Sequence, residues 1–113
     1  MNTTYRNTLE ALIQQASPEV LASHEVEFRN FFGAVAGYVD GRIFVSCGKF
    51  GVALRLPLET LTELFKEEDV SNLRYFPNGH IKKEYAVLPE RILGDQDQFK
   101  INVSISIQYA VQL

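Results

Sequence analysis

The stretch VEFRNFFGAVAGYVDGRIFVSCGKFGVALRL, residues 26–56, decides the fold. It is rich in β-branched and aromatic residues and is broken by turn chemistry at Gly33, at Asp40-Gly41 and at Gly48-Lys49, which predicts an antiparallel meander. A two-residue loop at Asp40-Gly41 pairs Val39 with Arg42, Tyr38 with Ile43 and Ala36 with Val45. A second loop at Gly48-Lys49 pairs Cys47 with Phe50, Val45 with Val52, Ile43 with Leu54, Phe44 with Ala53 and Arg42 with Arg55. Side chains alternate between the faces of a strand, so one face collects Ala36, Tyr38, Ile43, Val45, Cys47, Phe50, Val52 and Leu54. That face must be covered. The other carries Val35, Gly37, Val39, Arg42, Phe44, Ser46, Gly51, Ala53 and Arg55, a mixed surface whose small residues leave room for something to approach.

Helical spacing flanks the meander. Tyr5, Leu9, Leu12, Ile13 and Ala16 fall on one face of an amphipathic first helix, and Ser17-Pro18-Glu19 stops it and starts a further short turn with Ser17 as cap. Leu58, Leu61, Leu64 and Phe65 predict a second helix over residues 58–67, whose acidic end Glu67-Glu68-Asp69 opposes the helix dipole. Leu73 to Phe76 and Ile81 to Val87 flank Pro77-Asn78-Gly79-His80 and read as a second, more polar hairpin at the sheet edge. Leu88-Pro89-Glu90 then ends the strand and opens a short turn to Leu93.

Two rules conflict at the C-terminal segment. Phe99, Ile101, Val103, Ile105, Ile107, Tyr109 and Val111 alternate with polar or small residues, which slightly favours a strand. A helix would use Asp95 as N-cap with Gln98 three residues on, and Phe99, Val103, Ile107 and Ala110 as its buried face. Ile101, Ile105 and Tyr109 would then point elsewhere, and a dimer or partner contact is what would cover them.

The 113 residues, 46% of them hydrophobic and 22% charged, match an ordinary globular composition, and no repeat or linker divides residues 1–113, so one domain is expected. Area scaling gives about 18,500 Å² unfolded against about 6,300 Å² folded, enough burial for a core without disulfides or metal. Eleven basic against fourteen acidic residues leave a net charge of −3, with residues 1–57 balanced and the deficit in 58–113. Direct nucleic-acid binding and attraction to anionic lipid are therefore not expected. A lone cysteine, Cys47, forms no internal disulfide, and residues 1–6 lack the apolar run of a signal peptide, so a cytoplasmic setting is expected. No stretch is apolar enough for a membrane span.

Chemistry is sparse. His24 and His80 lie far apart without companions at metal-ligand spacing and read as exposed loop residues. Cys47 reads as a buried structural thiol, and neither a phosphate-cradling glycine motif nor a nucleophile elbow occurs. No catalytic residue, cofactor or metal is expected. The expected cross-strand pair Arg42 and Arg55 is the one polar feature with functional promise: like charges directly opposite each other repel unless an anion or water relieves them. Beside Phe44, the two arginines mark a candidate shallow site for a carboxylate, a phosphate or an acidic partner segment. The simpler alternative is that both splay into solvent or pair with acids elsewhere.

Several local strings resemble the N-terminal domain of the TfoX (Sxy) family of bacterial competence regulators, over roughly residues 26 to 111. Residues 26–33, Val-Glu-Phe-Arg-Asn-Phe-Phe-Gly, resemble the family's arginine followed by Met-Phe-Gly-Gly. Residues 38–44, Tyr-Val-Asp-Gly-Arg-Ile-Phe, are similar to its tyrosine, turn, glycine and Phe-Ala segment. Val52-Ala53-Leu54-Arg55-Leu56 resembles its Leu-Tyr-Leu-Lys strand, and residues 85–90, Tyr-Ala-Val-Leu-Pro-Glu, resemble its Tyr-Tyr-x-Val-Pro-Glu. Phe31 stands at the family methionine, Ala34 at the second glycine and Ala53 at the aromatic. The resemblance implies a stand-alone N-terminal module with an α+β, two-layer, secretion-chaperone-like fold. In that fold a curved antiparallel sheet, the meander plus the second hairpin, carries N-terminal, middle and C-terminal helices, so residues 98–111 become helix. It further implies a non-enzymatic regulatory role through an unidentified protein partner, with a homodimer as one form of contact, and supplies no catalytic residues. A nucleic-acid-binding accessory protein and a small anionic-ligand binder are the alternatives.

Overall fold

The computed structural model describes residues 3–112 and is α+β: an open antiparallel sheet with helices packed against it. Helices α1 (Thr3–Ala16) and α2 (Pro18–Ser23) precede strands β1 (Val26–Phe31), β2 (Ala34–Val39), β3 (Arg42–Gly48) and β4 (Gly51–Arg55). Then come α3 (Leu58–Leu64), β5 (Ser71–Leu73), β6 (Lys82–Leu88), α4 (Glu90–Leu93) and α5 (Gln96–Val111). The six strands lie in the order β1-β2-β3-β4-β6-β5, so the second hairpin completes the meander's sheet with β5 at one edge and β1 at the other. Both of its strands are shifted from expectation: residues 74–76 leave β5 as an irregular crossing, and β6 runs to Leu88. The second helix ends at Leu64, before its acidic tail, and Arg91 of α4 ion-pairs with Glu67 and Asp69 in that tail.

The C-terminal conflict resolves as helix. Asp95 caps α5 by accepting from the Gln98 backbone N–H at 3.1 Å, and Phe99, Val103, Ile107 and Ala110 are buried as the helical reading requires. Two of the polar residues that suggested a strand, Asn102 and Ser106, are buried and used. Asn102 donates to the Gln98 carbonyl at 3.0 Å, and the fully buried Ser106 reaches the sheet. Of the expected second face, Ile101 is 59% exposed, whereas Ile105 packs against the core and the Tyr109 hydroxyl donates to Glu84 at 2.7 Å.

The register of β2, β3 and β4 corrects the sequence reading. Val39 does oppose Arg42 and Tyr38 opposes Ile43, but Gly37 then opposes Val45, leaving Phe44 as an extra residue in β3. This is a β-bulge, and Ala36 consequently meets Ser46 rather than Val45. The β3–β4 loop is Lys49-Phe50, one residue later than expected, because the positive φ it demands is taken by Gly51 (φ 107°) and not by Gly48. Cys47 therefore meets Val52 and Val45 meets Leu54, and the pairings Ile43 with Leu54, Phe44 with Ala53 and Arg42 with Arg55 do not form.

The bulge also redistributes the faces. Both Phe44 and Val45 enter the main core, with Val35 and Val39 from β2, Cys47 from β3, and Val52 and Leu54 from β4. Leu9 and Ile13 of α1 and Phe99, Val103 and Ile107 of α5 close it. Ala36 lies a residue away from the β2 positions that feed this core, and Tyr38, Ile43 and Phe50 lie on the outer face, away from the helices. At the bulge the strands come so close that a Cβ on Gly37 would sit 2.6 Å from Val45 Cγ1 and 3.1 Å from the Phe28 ring. Ser106 Oγ lies 2.7 Å from the Phe44 carbonyl and 2.6 Å from the Arg55 carbonyl, where the β3–β4 pairing has ended. One hydroxyl proton thus serves two converging acceptors.

The β1–β2 turn, Phe32-Gly33, has positive φ at both residues (51° and 77°), the hairpin geometry that closes on a hydrogen-bonded pair, Phe31 with Ala34. Counting back by alternation, Phe28 and Gly37 form a non-hydrogen-bonded pair, so the Phe28 carbonyl points out of the free edge of the sheet. The Arg6 guanidinium of α1 donates to it. At the other end of β1, Asp40 Oδ2 lies 2.7 Å from His24 Nδ1 and its Oδ1 accepts from the Glu25 N–H at 3.0 Å, so His24 is a partnered residue rather than a free loop histidine.

Replacing Ser106 by alanine withdraws the shared donor from both carbonyls and should destabilise the fold by about 1–3 kcal/mol in urea unfolding. Gly37→Ala must displace Val45 or Phe28 and should cost about 1–3 kcal/mol, read as a fall in Tm of roughly 5–15 °C. The His24 hydrogen bond first, then the Glu25 N–H, hold the Asp40 carboxyl below its usual range, and the Arg91 hydrogen bond does the same for Asp69. A carboxyl depressed in the folded state contributes stability above its unfolded pKa and loses it as pH falls through the folded value. Tm should therefore hold level above about pH 5 and drop below about pH 4. Asp69→Asn should flatten part of that drop.

Candidate functional site

The structure does not bring Arg42, Phe44 and Arg55 together. Arg42 opposes Val39 beside the Asp40-Gly41 turn and is exposed. Phe44 is wholly buried in the core, because the bulge turns it inward. Arg55 pairs across with Tyr85 of β6, donates through Nη2 to the Glu84 carboxylate at 3.3 and 3.4 Å, and places its guanidinium 5.6 Å from the centre of the Tyr109 ring. It has found the acid that the simpler alternative allowed, and an aromatic face besides.

What occupies the small-residue patch of the sheet is the chain itself. Ser46 and Ala53 oppose each other on the outer face, and Ala53 opposes Val87. The irregular segment after β5 lays Tyr75 across this floor, its hydroxyl donating to Ser46 Oγ at 3.2 Å. Burial raises the Tyr75 pKa, and it raises that of Tyr85 further, so both rings act as neutral apolar bodies with a polar tip. A small cluster of Ala53, Leu73 and Val87 with Phe50, Tyr75 and Tyr85 forms beneath.

Around Tyr75 the aromatic residues gather. Phe31 and Phe50 meet it edge to face at 5.1 and 5.5 Å between ring centres, and Phe32 stands 6.2 Å away. Phe32 in turn contacts Phe31 at 4.6 Å and Phe76 at 5.6 Å. The outer two are open to solvent: Phe32 is 62% and Phe76 53% exposed. Phe32 also sits in the left-handed backbone region (φ 51°), where a residue other than glycine, asparagine or aspartate costs about 1–2 kcal/mol. The chain thus holds an aromatic side chain outward on a turn whose backbone favours asparagine.

Three adjoining clefts surround Tyr75. One, of about 360 Å³, lies between Phe32, Phe50 and Phe76 with Lys49 at its rim. A second, of about 200 Å³, lies on the other side of Phe32 and Phe76 against His80 and Lys82. The third, of about 310 Å³, runs from Phe31 and Tyr38 to Arg55, Glu84 and Tyr85 and shares Lys82. Sequence reading missed this constellation because its members come from two separate turns and the post-β5 crossing. The available signal was the clustering of aromatic residues at Phe31-Phe32, Phe50 and Tyr75-Phe76, each beside a turn.

Among the described residues no group of three His, Cys, Asp or Glu side chains could hold a metal ion, and no helix is long and apolar enough to cross a membrane. Cys47 is buried, and burial raises its thiol pKa, away from nucleophilic reactivity. Of the ionisable groups lining the clefts, Glu84 is held by Arg55 and Tyr109, and the Tyr75 hydroxyl is held by Ser46.

Comparison with curated proteins and with solved structures returned no match. The family model of the TfoX N-terminal domain, which is not a known enzyme family, matches residues 19–110, the whole sheet and nearly all of the helices after α1. The chain belongs to the TfoX N-terminal domain family.

Proposed function

We propose that this chain is a non-enzymatic regulatory module of the bacterial cytoplasm that acts by binding a protein, in transcriptional or competence regulation. The observation that carries the reading is the open aromatic end of the outer sheet face. Two phenylalanines stand more than half exposed there, one of them in a backbone conformation that phenylalanine disfavours. Exposed apolar surface of this kind costs solubility and is characteristic of contact sites. Family membership supports a regulatory role, related to competence. The acidic balance of the chain weighs against wrapping duplex DNA, since that needs a dense array of phosphate contacts.

The test pairs two measurements on the intact chain. Tagged protein in its native cells should recover one partner protein reproducibly after crosslinking, and purified protein should leave duplex promoter DNA unshifted in gels at both low and moderate salt. A salt-sensitive shift of the DNA, or no protein recovered above the untagged control, overturns the reading.

A further inference from the structure

The aromatic end of the outer face is also a cationic end of an acidic molecule. Four of the eleven basic side chains, Lys49, Arg74, Lys82 and Lys83, lie in the β3–β4 turn and in the segment from β5 into β6 that frames the clefts. None of them takes part in an ion pair among the described residues, whereas Arg29, Arg55, Lys66 and Arg91 all do. Glu84 is the one acid lining any of the three clefts, and it is engaged by Arg55 and Tyr109. Of the seven basic side chains without an ion pair among the described residues, Lys49 and Lys82 line the clefts and Arg74 and Lys83 adjoin them in sequence, whereas Arg6, Arg42 and Lys100 lie elsewhere, so the clefts carry two unneutralised cations against one engaged carboxylate.

From this we infer that the clefts around Tyr75 take an extended acidic peptide of a partner protein, with apolar side chains seated beside Phe32 and Phe76 and carboxylates reaching Lys49 and Lys82. The inference rests on the protein-binding reading above and deepens it by naming the chemistry of the partner. The distribution of the charges selects a chain over a compact anion: Lys49 and Lys82 rim different clefts, so the negative groups they meet must be spaced along a backbone. The aromatic geometry selects peptide over single-stranded nucleic acid. The rings meet one another edge to face or tilted, at interplanar angles of 58° to 88°, and so do not form the row of parallel platforms on which successive bases would stack. The concavity of the clefts likewise suits inserted side chains better than a flat lipid surface.

The test titrates the ¹⁵N-labelled chain with three synthetic decapeptides followed by amide chemical shifts. One alternates glutamate with leucine and phenylalanine, one replaces every glutamate by lysine, and one replaces every apolar residue by serine. The first should shift the amides of residues 31–34, 49–51 and 74–83 saturably, and its affinity should fall about threefold or more between about 50 mM and about 300 mM salt. The other two should bind at least about tenfold more weakly. Phe32→Asn, which suits the turn, and Phe76→Ser, at an exposed position, should each weaken the first peptide about fivefold with the amide spectrum otherwise retained. Lys49→Glu with Lys82→Glu should do the same. Equal binding of the lysine peptide, shifts confined to the helical face, undiminished affinity in the variants, or no binding of any peptide overturns the inference. So does preferential binding of a thymidine decamer or of anionic vesicles. If the partner recovered from cells is still captured by the Phe32→Asn, Phe76→Ser double variant, this inference fails while the protein-binding reading stands. If wild-type protein captures nothing, the reading itself fails.

Discussion

One extra residue in β3 organises this molecule. The bulge at Phe44 turns two successive large side chains, Phe44 and Val45, into the same core, which a regular strand could not do. It demands Gly37 opposite, where no Cβ fits beneath Val45. It also ends the β3–β4 pairing early, leaving the Phe44 and Arg55 carbonyls to share the hydroxyl of Ser106. Strand twist, core packing and the docking of α5 thus meet at one point, and a serine in the middle of a largely apolar helix face is explained by the sheet it touches.

The same residue marks where sequence reading stops. The Asp40-Gly41 turn and the pairs adjoining it were legible because an Asp-Gly hairpin has one strongly favoured geometry. The Phe44 bulge was not, because Phe44 and Val45 are both apolar and either alternation gives a plausible face. The β3–β4 loop was displaced by one residue because Gly48 and Gly51 flank it and either could supply the left-handed backbone. Local alternation in residues 99–111 favoured a strand, and burial of Phe99, Val103, Ile107 and Ala110 with the contact of Ser106 to the sheet outweighed it. As for the candidate site, the arginine pair depended on the lost register and went with it. The aromatic cluster is assembled across segments 31–32, 50 and 75–76, whose proximity only the strand order creates.

The two faces of the sheet serve different ends. One is filled by α1 and α5 with well-closed aliphatic packing and a buried cysteine whose surroundings keep it unreactive. The other has a floor of small residues, crossed by Tyr75, and a fringe of rings and lysines that the chain leaves open. The open fringe is where a few side chains can vary without touching the core.

The Arg6 contact with the Phe28 carbonyl bears on how the protein behaves when crowded. A six-residue strand with unpaired backbone groups is a template onto which another chain's strand can add, the first step of cross-β growth. The guanidinium plugs one outward acceptor from the first turns of α1, so strand addition there must first displace Arg6 from it. Resistance to aggregation is in this way tied to the anchoring of the amino-terminal helix, and loosening that helix would expose a sticky margin well before the sheet itself came apart.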